Sequence, residues 1–450
     1  MSSIPPHPPH PPHPPMARRA ALLGPSPLDE LSGPAGRGEM ISLAGGLPDA
    51  ATFPVQAVAE AARRVLSRQP RAALQYGPGE GLGPLREWVA EYLRGHGIEL
   101  PPGQVLITSG SQQALDLLGK VLLDPASPLL VQRPTYLGAL QAFRPFAPRM
   151  VGLPEDDLGP EPEAFAAALA GARMAYLQPR FANPSGRSIA PARAEQLGRL
   201  LARSECWLVE DDPYCELWFD EAPPPGLLAR GGAHGVHVGT FSKMLFPGLR
   251  LGWVAGHAGL LRKLTQAKQA ADLQSSSLDQ WLLLELLRDG LPQRMLPRLR
   301  IVYRERRDAM LEALSRHMPA GTFWSRPRGG MFIWLTLPQP LDARDIAAAA
   351  RRQGVLVLPG LAFDVGAGGC DSFGACCDCR FACDPEAAEP ARNTLRLAYA
   401  GADRASIERA VSVLGGIVRG ALHGDAGPCT RPRRAAAQAP AGGPVDVSHA

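Results

Sequence analysis

Chemistry that needs a deprotonatable amine has few places to occur in this chain, because four lysines stand against 43 arginines. Lys120, Lys263 and Lys268 fall in segments with helical apolar spacing and read as solvated helix-face residues. Lys243 differs. It sits in Thr240-Phe-Ser-Lys243, after the apolar run Gly235–Gly239, with hydroxyls at Thr240 and Ser242 and a guanidinium at Arg250. A loop amine among hydroxyls and beside an arginine suits a site that holds an anion. Alone, such a lysine is more often a surface residue, so its companions have to decide.

Those companions stand where short apolar runs end. Tyr136 follows Gln132-Arg-Pro-Thr, Asn183 lies in Phe181–Arg187, and Asp211 and Tyr214 lie in Glu210-Asp-Asp-Pro-Tyr214. Between a buried strand and a helix, Ser109-Gly110-Ser111-Gln112 offers hydroxyls and free N–H groups that could converge on a phosphate with the helix dipole in their favour. Plain capping by Ser109 or Ser111 fits the same residues. Gly45 and Gly46 in Ile41–Pro48 would let backbone approach a ligand, and a second glycine-rich loop, Leu74–Gly81, carries Tyr76. Each piece alone reads as turn chemistry. Together with the Lys243 loop they form a constellation that turn statistics do not explain.

The elements that must position these residues alternate. Strands are expected at 104–108, 128–132, 149–153, 173–178, 206–210 and 236–239, with helices at 54–66, 84–94, 113–123, 162–170 and 191–204. Apolar strands alternating with helices give an α/β fold, a mostly parallel sheet covered on both faces, with ligands gathering at the carboxyl ends of the strands. Beyond Leu291 the pattern changes to a long Arg-rich helix, 292–318, strands at 322–325, 330–337, 355–358 and 394–399, and a last helix at 404–422. The organisation that follows is an N-terminal segment 16–45 packing near the site, a large domain 46–290 and a smaller α+β domain 291–422. A Pro/His arm at 1–15 and an Ala/Pro-rich tail at 423–450 read as disordered.

Composition narrows the function. A net charge of +4 with scattered arginines gives no electrostatic footprint for nucleic acid, so the expected partner is a small molecule. No apolar run approaches the roughly 20 residues that span a bilayer, and the apolar part of Met16–Gly24 is too short for an export signal, so the expectation is a cytoplasmic protein without membrane contact. Eight cysteines cluster mainly in Cys370–Cys383, inside an expected insertion at 366–390 that lacks the paired spacing of structural zinc and reads as a surface feature. No metal is assigned.

At this point the residues resemble a family. Ala44-Gly-Gly-Leu-Pro48, Tyr76-Gly-Pro-Gly-Glu-Gly81, Thr108-Ser-Gly-Ser-Gln-Gln113, Asn183-Pro-Ser-Gly186, Glu210-Asp-Asp-Pro-Tyr214, Thr240-Phe-Ser-Lys243 with Arg250, and Leu395-Arg-Leu397 occur in the order found in fold-type I pyridoxal-phosphate aminotransferases. The resemblance covers about residues 40–422, within the subgroup of 2-aminoadipate aminotransferases and MocR-type effector domains. It implies a seven-stranded, mostly parallel sheet and pyridoxal 5'-phosphate as cofactor. It further implies a Schiff base on Lys243, and transfer of an amino group from an α-amino acid to a 2-oxo acid, such as 2-oxoglutarate, by a ping-pong mechanism.

By the same resemblance Asp211 would hold the pyridine nitrogen protonated, and Asn183 and Tyr214 would bond the phenolic oxygen. Tyr136 would stack on the ring, and Ser109, Gly110, Ser111, Thr240, Ser242 and Arg250 would surround the phosphate. Tyr76 would reach the neighbouring subunit's cofactor, implying a homodimer with shared sites. Arg396 would clamp the substrate carboxylate, with Gly46 adding a backbone donor and Asn183 also facing substrate. Two departures stand out: Ala182 precedes Asn183 where the family often has glutamine, and Asp29 falls near the place where some relatives use an arginine for an acidic side chain. A lyase or decarboxylase on the same fold, or a cofactor-binding regulatory domain, remains an alternative reading.

Overall fold

The computed structural model describes residues 16–24, 40–230, 234–368 and 391–424. The Pro/His arm, Asp29, the Cys370–Cys383 stretch and nearly all of the tail lie outside the described residues.

In chain order, β1 (Ile41–Ser42) precedes α1 (Val55–Arg68), α2 (Pro70–Leu74) and α3 (Gly83–Gly95). The alternating part begins with β2 (Val105–Thr108), α4 (Ser111–Leu122), β3 (Pro128–Gln132), α5 (Leu137–Phe143) and β4 (Arg149–Leu153). A short ribbon of β5 (Glu155–Asp156) and β6 (Gly159–Pro160) leads to α6 (Pro162–Leu169), β7 (Met174–Leu177), α7 (Pro191–Ala202) and β8 (Trp207–Asp211). Then come β9 (Gly235–Thr240), β10 (Gly252–Gly256), α8 (Ala258–Asp272), α9 (Ser277–Arg288) and the long α10 (Leu291–His317). The last part holds β11 (Phe323–Trp324), β12 (Phe332–Thr336), α11 (Ala343–Arg352), β13 (Val355–Leu356), β14 (Leu358–Pro359), β15 (Thr394–Ala398) and α12 (Arg404–His423).

Among the described residues, seven strands form one sheet in the order β2-β10-β9-β8-β7-β3-β4. Every residue of β2, β7 and β9 is buried, which is why these strands read as unbroken apolar runs rather than alternating ones. All neighbours are parallel except around β10, which runs antiparallel to both β9 and β2. The sequence expectation did not include this strand. Its connection from β9, residues 241–251, is too short for a helical crossover, so the chain can only return antiparallel. That return carries Lys243 and Arg250 across the carboxyl edge of the sheet.

A second sheet, β11-β12-β15-β14, is antiparallel throughout. Here the expected single strand 355–358 divides. Val355 and Leu356 pair in parallel with β1, whereas Leu358 and Pro359 pair with β15, so the backbone changes partner at Val357. One run thereby ties the segment before Ala44 to the strand that bears Arg396. A continuous apolar cluster joins the two sheets, running from Phe241 and Trp253 to Ile333, Leu395 and Leu414. No helix among the described residues is long and apolar enough to cross a membrane.

Candidate active site

The anion side of the site is built where β2 and β9 end and β10 begins, with Gly252 in register with both Thr108 and Thr240. A side chain at Gly252 would meet the Ser111 nitrogen at 2.9 Å, so glycine lets the turn of Ser109–Ser111 sit directly on the sheet edge. Helix α4 starts at Ser111, two residues earlier than the apolar spacing suggested, with Gly110 as its N-cap at φ +80°. Its first N–H groups therefore open toward the Arg250 side, where a Cβ on Gly110 would lie 2.7 Å from Arg250 Nη2. Thr240 Oγ1 donates to Ser242 Oγ at 3.0 Å and accepts from the Ser242 N–H at 3.1 Å, fixing the two hydroxyls beside this cradle. Hydroxyls, helix N–H groups and an exposed guanidinium make a cradle whose donors suit a phosphate.

Ser109 is engaged differently. Its hydroxyl donates to Asp272 Oδ2 at 3.1 Å and meets Ser275 Oγ at 3.1 Å, while Lys268 Nζ holds Asp272 at 2.8 Å and Gln113 Oε1 at 3.0 Å. Lys268 was expected on a solvated helix face, yet it is fully buried. The correction has a local cause: Lys268 stands one turn beyond Leu264 and one turn before Asp272 on α8, so packing and the carboxylate both draw it inward. Lys120 and Lys263 are exposed, as expected.

Lys243 projects from the β9–β10 connection, and its Nζ donates to the Gly46 carbonyl at 2.9 Å. Gly46 thus meets the lysine through its oxygen. Burial, with Arg396 and Arg250 nearby, pushes the amine down to about 8, so a neutral nucleophile is accessible near physiological pH. Arg396, on β15 and only 2% exposed, donates from Nη1 to Asn183 Oδ1 at 2.9 Å and from Nη2 to the Ala44 carbonyl. Its guanidinium lies between the rings of Phe332 and Phe363, at 4.5 and 4.8 Å. Burial pulls Arg396 down to about 10, still charged at neutral pH.

Asp211 ends β8 and is 2% exposed. Its Oδ2 accepts from Tyr176 at 2.6 Å and from Gln178 Nε2 at 2.9 Å, while Oδ1 is buried without a partner among the described residues. Burial raises this carboxyl to about 6 against the pull of those two donors. Asp212 points elsewhere, into an ion pair with Arg180 and toward His237 at 3.7 Å. Burial alone would raise Asp212, but Arg180 and His237 outweigh it and hold the carboxyl down at about 2. Adjacent aspartates in one motif are therefore divided by β-strand alternation, one facing the site and the other a buried cation.

Tyr214 and Tyr136 are raised above the ordinary phenol range, chiefly by burial, Tyr136 to about 12; both feel Arg396 and Asp211. Asn183 beside Tyr214 pulls its phenol the other way. These mutual influences place Lys243, Arg250, Arg396, Asn183, Asp211, Tyr214 and Tyr136 in one cluster. Tyr76 stands apart from it and is 77% exposed in the single chain. Sequence reasoning missed three contributors. Tyr176 and Gln178 hold Asp211, and Gln112 accepts from the Tyr136 hydroxyl at 3.5 Å while donating to the Gly138 carbonyl at 2.7 Å. A polar residue at the end of an apolar strand was the signal for Gln178; Tyr176 gave none, because an aromatic within a strand reads as core.

The unpartnered Asp211 Oδ1 suits a protonated ring nitrogen, the Gly110–Arg250 cradle suits a phosphate, and Lys243 suits an aldehyde. The residues present fit pyridoxal phosphate. Comparison with known proteins agrees: the family model "Aminotransferase class I and II" matches residues 38–414. A 2-aminoadipate transaminase of Thermus thermophilus is 44% identical over 390 residues, covering 85% of this chain and 91% of its own length. Aromatic-amino-acid aminotransferase 1 of Thermococcus litoralis is 39% identical over 334 residues, covering 72% and 80%. Among solved structures, the Thermus thermophilus alpha-aminoadipate aminotransferase LysN, complexed with N-(5'-phosphopyridoxyl)-L-leucine, superposes with a TM-score of 0.80 at 39% identity, covering 91% of this chain and 98% of that one. The chain belongs to the class I and II aminotransferases and is a pyridoxal-phosphate-dependent aminotransferase of fold type I.

Proposed function

We propose that this enzyme moves an amino group from an α-amino acid to a 2-oxo acid, with 2-oxoglutarate as acceptor, in two half-reactions of a ping-pong cycle carried by Lys243. The observation that carries the reading is the depressed Lys243 amine, held by the Gly46 carbonyl beside Arg396 and Arg250. When bound, the cofactor supplies an aldehyde for the amine and a ring that delocalises the charge left at the substrate Cα. Lys243 Nζ is the nucleophile toward that aldehyde and the base that moves the Cα proton. Asp211 would keep the ring nitrogen protonated, Asn183 and Tyr214 would bond the ring's phenolic oxygen, and Tyr136 would pack on the ring. The Ser111 N–H, the Thr240 and Ser242 hydroxyls and Arg250 would take the phosphate, with Gly110, whose N–H is held by the Thr108 carbonyl at 2.9 Å, and Ser109 bracing the turn. Arg396 receives the substrate carboxylate in a planar two-point contact.

The enzyme works as a homodimer in which Tyr76 serves the neighbouring site. Its exposure in the single chain supports this, as does the exposure beside it of Leu74, at 68%, and Leu273, at 59%. Residues 291–422 act as the smaller domain that brings Arg396 to the cofactor. The donor's side chain is the open variable: two named relatives act on 2-aminoadipate and on aromatic amino acids. A panel of amino donors with 2-oxoglutarate, read by glutamate formation, tests the reaction and identifies the donor. Release of carbon dioxide or loss of a side-chain fragment without glutamate would replace transamination by a lyase or decarboxylase.

A further inference from the structure

Gln178 lies just past β7 and is 2% exposed. Its Oε1 accepts the Asn183 N–H at 2.9 Å, and its Nε2 donates to Asp211 Oδ2 at 2.9 Å. Reversing the amide would set carbonyl against carboxylate and NH2 against N–H, so a single orientation satisfies both neighbours. The residue is also braced from behind. Its backbone N–H donates to Gln132 Oε1 at 2.6 Å, and Gln132 Nε2 donates to Glu155 Oε1 at 2.7 Å, linking β7 to β3 and to the β5 ribbon.

One side chain therefore touches both functional halves of the site. Asp211 would face the ring nitrogen, and the residue whose backbone Gln178 holds, Asn183, carries the bond to Arg396. We propose that Gln178 is a positioning residue that keeps Asp211 ionised and, through the same amide, sets the Asn183–Arg396 clamp for the substrate carboxylate. The proposal rests on the roles given above to Asp211 and Arg396. Its physical basis is a balance at Asp211: burial and the neighbouring Asp212 favour the neutral carboxyl, whereas donors on Oδ2 favour the charged one. Tyr176 is the other donor, and its hydroxyl bonds Asp211. Losing Gln178 should affect both ring chemistry and carboxylate binding; losing the Tyr176 hydroxyl should affect ring chemistry.

The test uses full-length holoenzyme with L-glutamate as donor and compares Gln178→Met, Gln178→Glu and Tyr176→Phe. Gln178→Met should move the lower of the two acid inflections of the kcat–pH profile, that of Asp211 below that of Lys243, up by about one unit, lower kcat about tenfold on that limb, and raise the KM for glutamate. Gln178→Glu keeps an acceptor for the Asn183 N–H but sets a second carboxyl against Asp211, so the limb should move at least as far with KM unchanged. Tyr176→Phe should also move the limb and leave KM in place. Independently of turnover, the affinity of the apo-protein for pyridoxal phosphate, followed by tryptophan fluorescence, should fall in both Gln178 variants and recover as pH rises.

An unmoved acid limb in Gln178→Met, or a KM raised equally in Gln178→Glu, overturns the proposal. Circular dichroism and the unfolding midpoint report whether each variant is folded, and if Gln178→Met is not, Gln178→Glu decides it by the same limb shift. Asp211→Asn run in parallel separates the two levels. Wild-type kcat in that variant removes the role of Asp211 itself. Lost turnover there with unmoved limbs in the others removes only the role of Gln178.

Discussion

Arg396 Nη1 and Asn183 Oδ1 meet at 2.9 Å although 213 residues separate them. The bond fixes one edge of a guanidinium that lies over the rings of Phe332 and Phe363 and is anchored to the Ala44 carbonyl; Nε is buried without a partner among the described residues, and each terminal nitrogen keeps a second N–H beyond these bonds. Lysine cannot span this geometry. Arg396→Lys should lower kcat/KM for amino donors about 100-fold, from the loss of charge-assisted bonds of roughly 1.5–3 kcal/mol each. Cofactor affinity should stay within a few-fold of wild type in a fluorescence titration, and an unchanged KM would remove Arg396 from the substrate clamp.

Lys243 is depressed to about 8, which sets a pH dependence for cofactor capture. A lysine with a lowered pKa is neutral above that value and protonated below it. The rate at which apo-protein captures pyridoxal phosphate should therefore rise with pH through about 8 and level off. Absorbance of the lysine-bound cofactor follows it. In Lys243→Ala, borohydride should fix no cofactor to the chain; fixation through another lysine would refute the assignment.

Arg180 is 3% exposed and pairs with Asp212 beside Glu210, whose Oε2 is taken by the Leu227 and Leu228 N–H groups. Arg180→Met should destabilise the apo-protein by about 3–5 kcal/mol in urea unfolding, because it strands a buried carboxylate. The sign with pH follows from Asp212 being held at about 2: its stabilisation is present above the ordinary aspartate range near 4 and is lost as pH falls toward 2. The variant should accordingly lose most of its deficit relative to wild type at the acid end. A deficit that stays constant with pH would mean lost packing rather than lost charge pairing.

Gly110→Ala combines a strained φ of +80° with a Cβ 2.7 Å from Arg250 Nη2. The backbone cost is about 1–2 kcal/mol, and Arg250 must move off the phosphate cradle. Affinity for pyridoxal phosphate should fall about tenfold or more, whereas affinity for pyridoxal, which lacks the phosphate, should change little. Equal losses for both would show that the turn does not read the phosphate.

Much of the fold was legible because fully buried strands and amphipathic helices leave strong patterns. The runs at 128–132 and 149–153 became β3 and β4 with the same ends, and Leu291–His317 was recognisable as one helix despite Pro297. What escaped was short or defined by its partner. The strand Gly252–Gly256 is glycine-bounded and carries no helical or alternating period, and the division of 355–358 between β1 and β15 depends on edges that lie far away in sequence.

The sequence by itself determined the chemistry available: a rare lysine among hydroxyls, and the types and order of Asn183, Asp211, Tyr214, Arg250 and Arg396 around it. Tertiary structure decided how those groups are charged and which are free. Strand alternation turned Asp211 to the site and Asp212 to Arg180, α8 drew Lys268 inward to Asp272 and with it Ser109, and burial brought Lys243 down and Asp211 up. The physical reason is that a side chain's type is local, whereas its desolvation and its hydrogen-bond partners belong to neighbours that only the folded chain supplies.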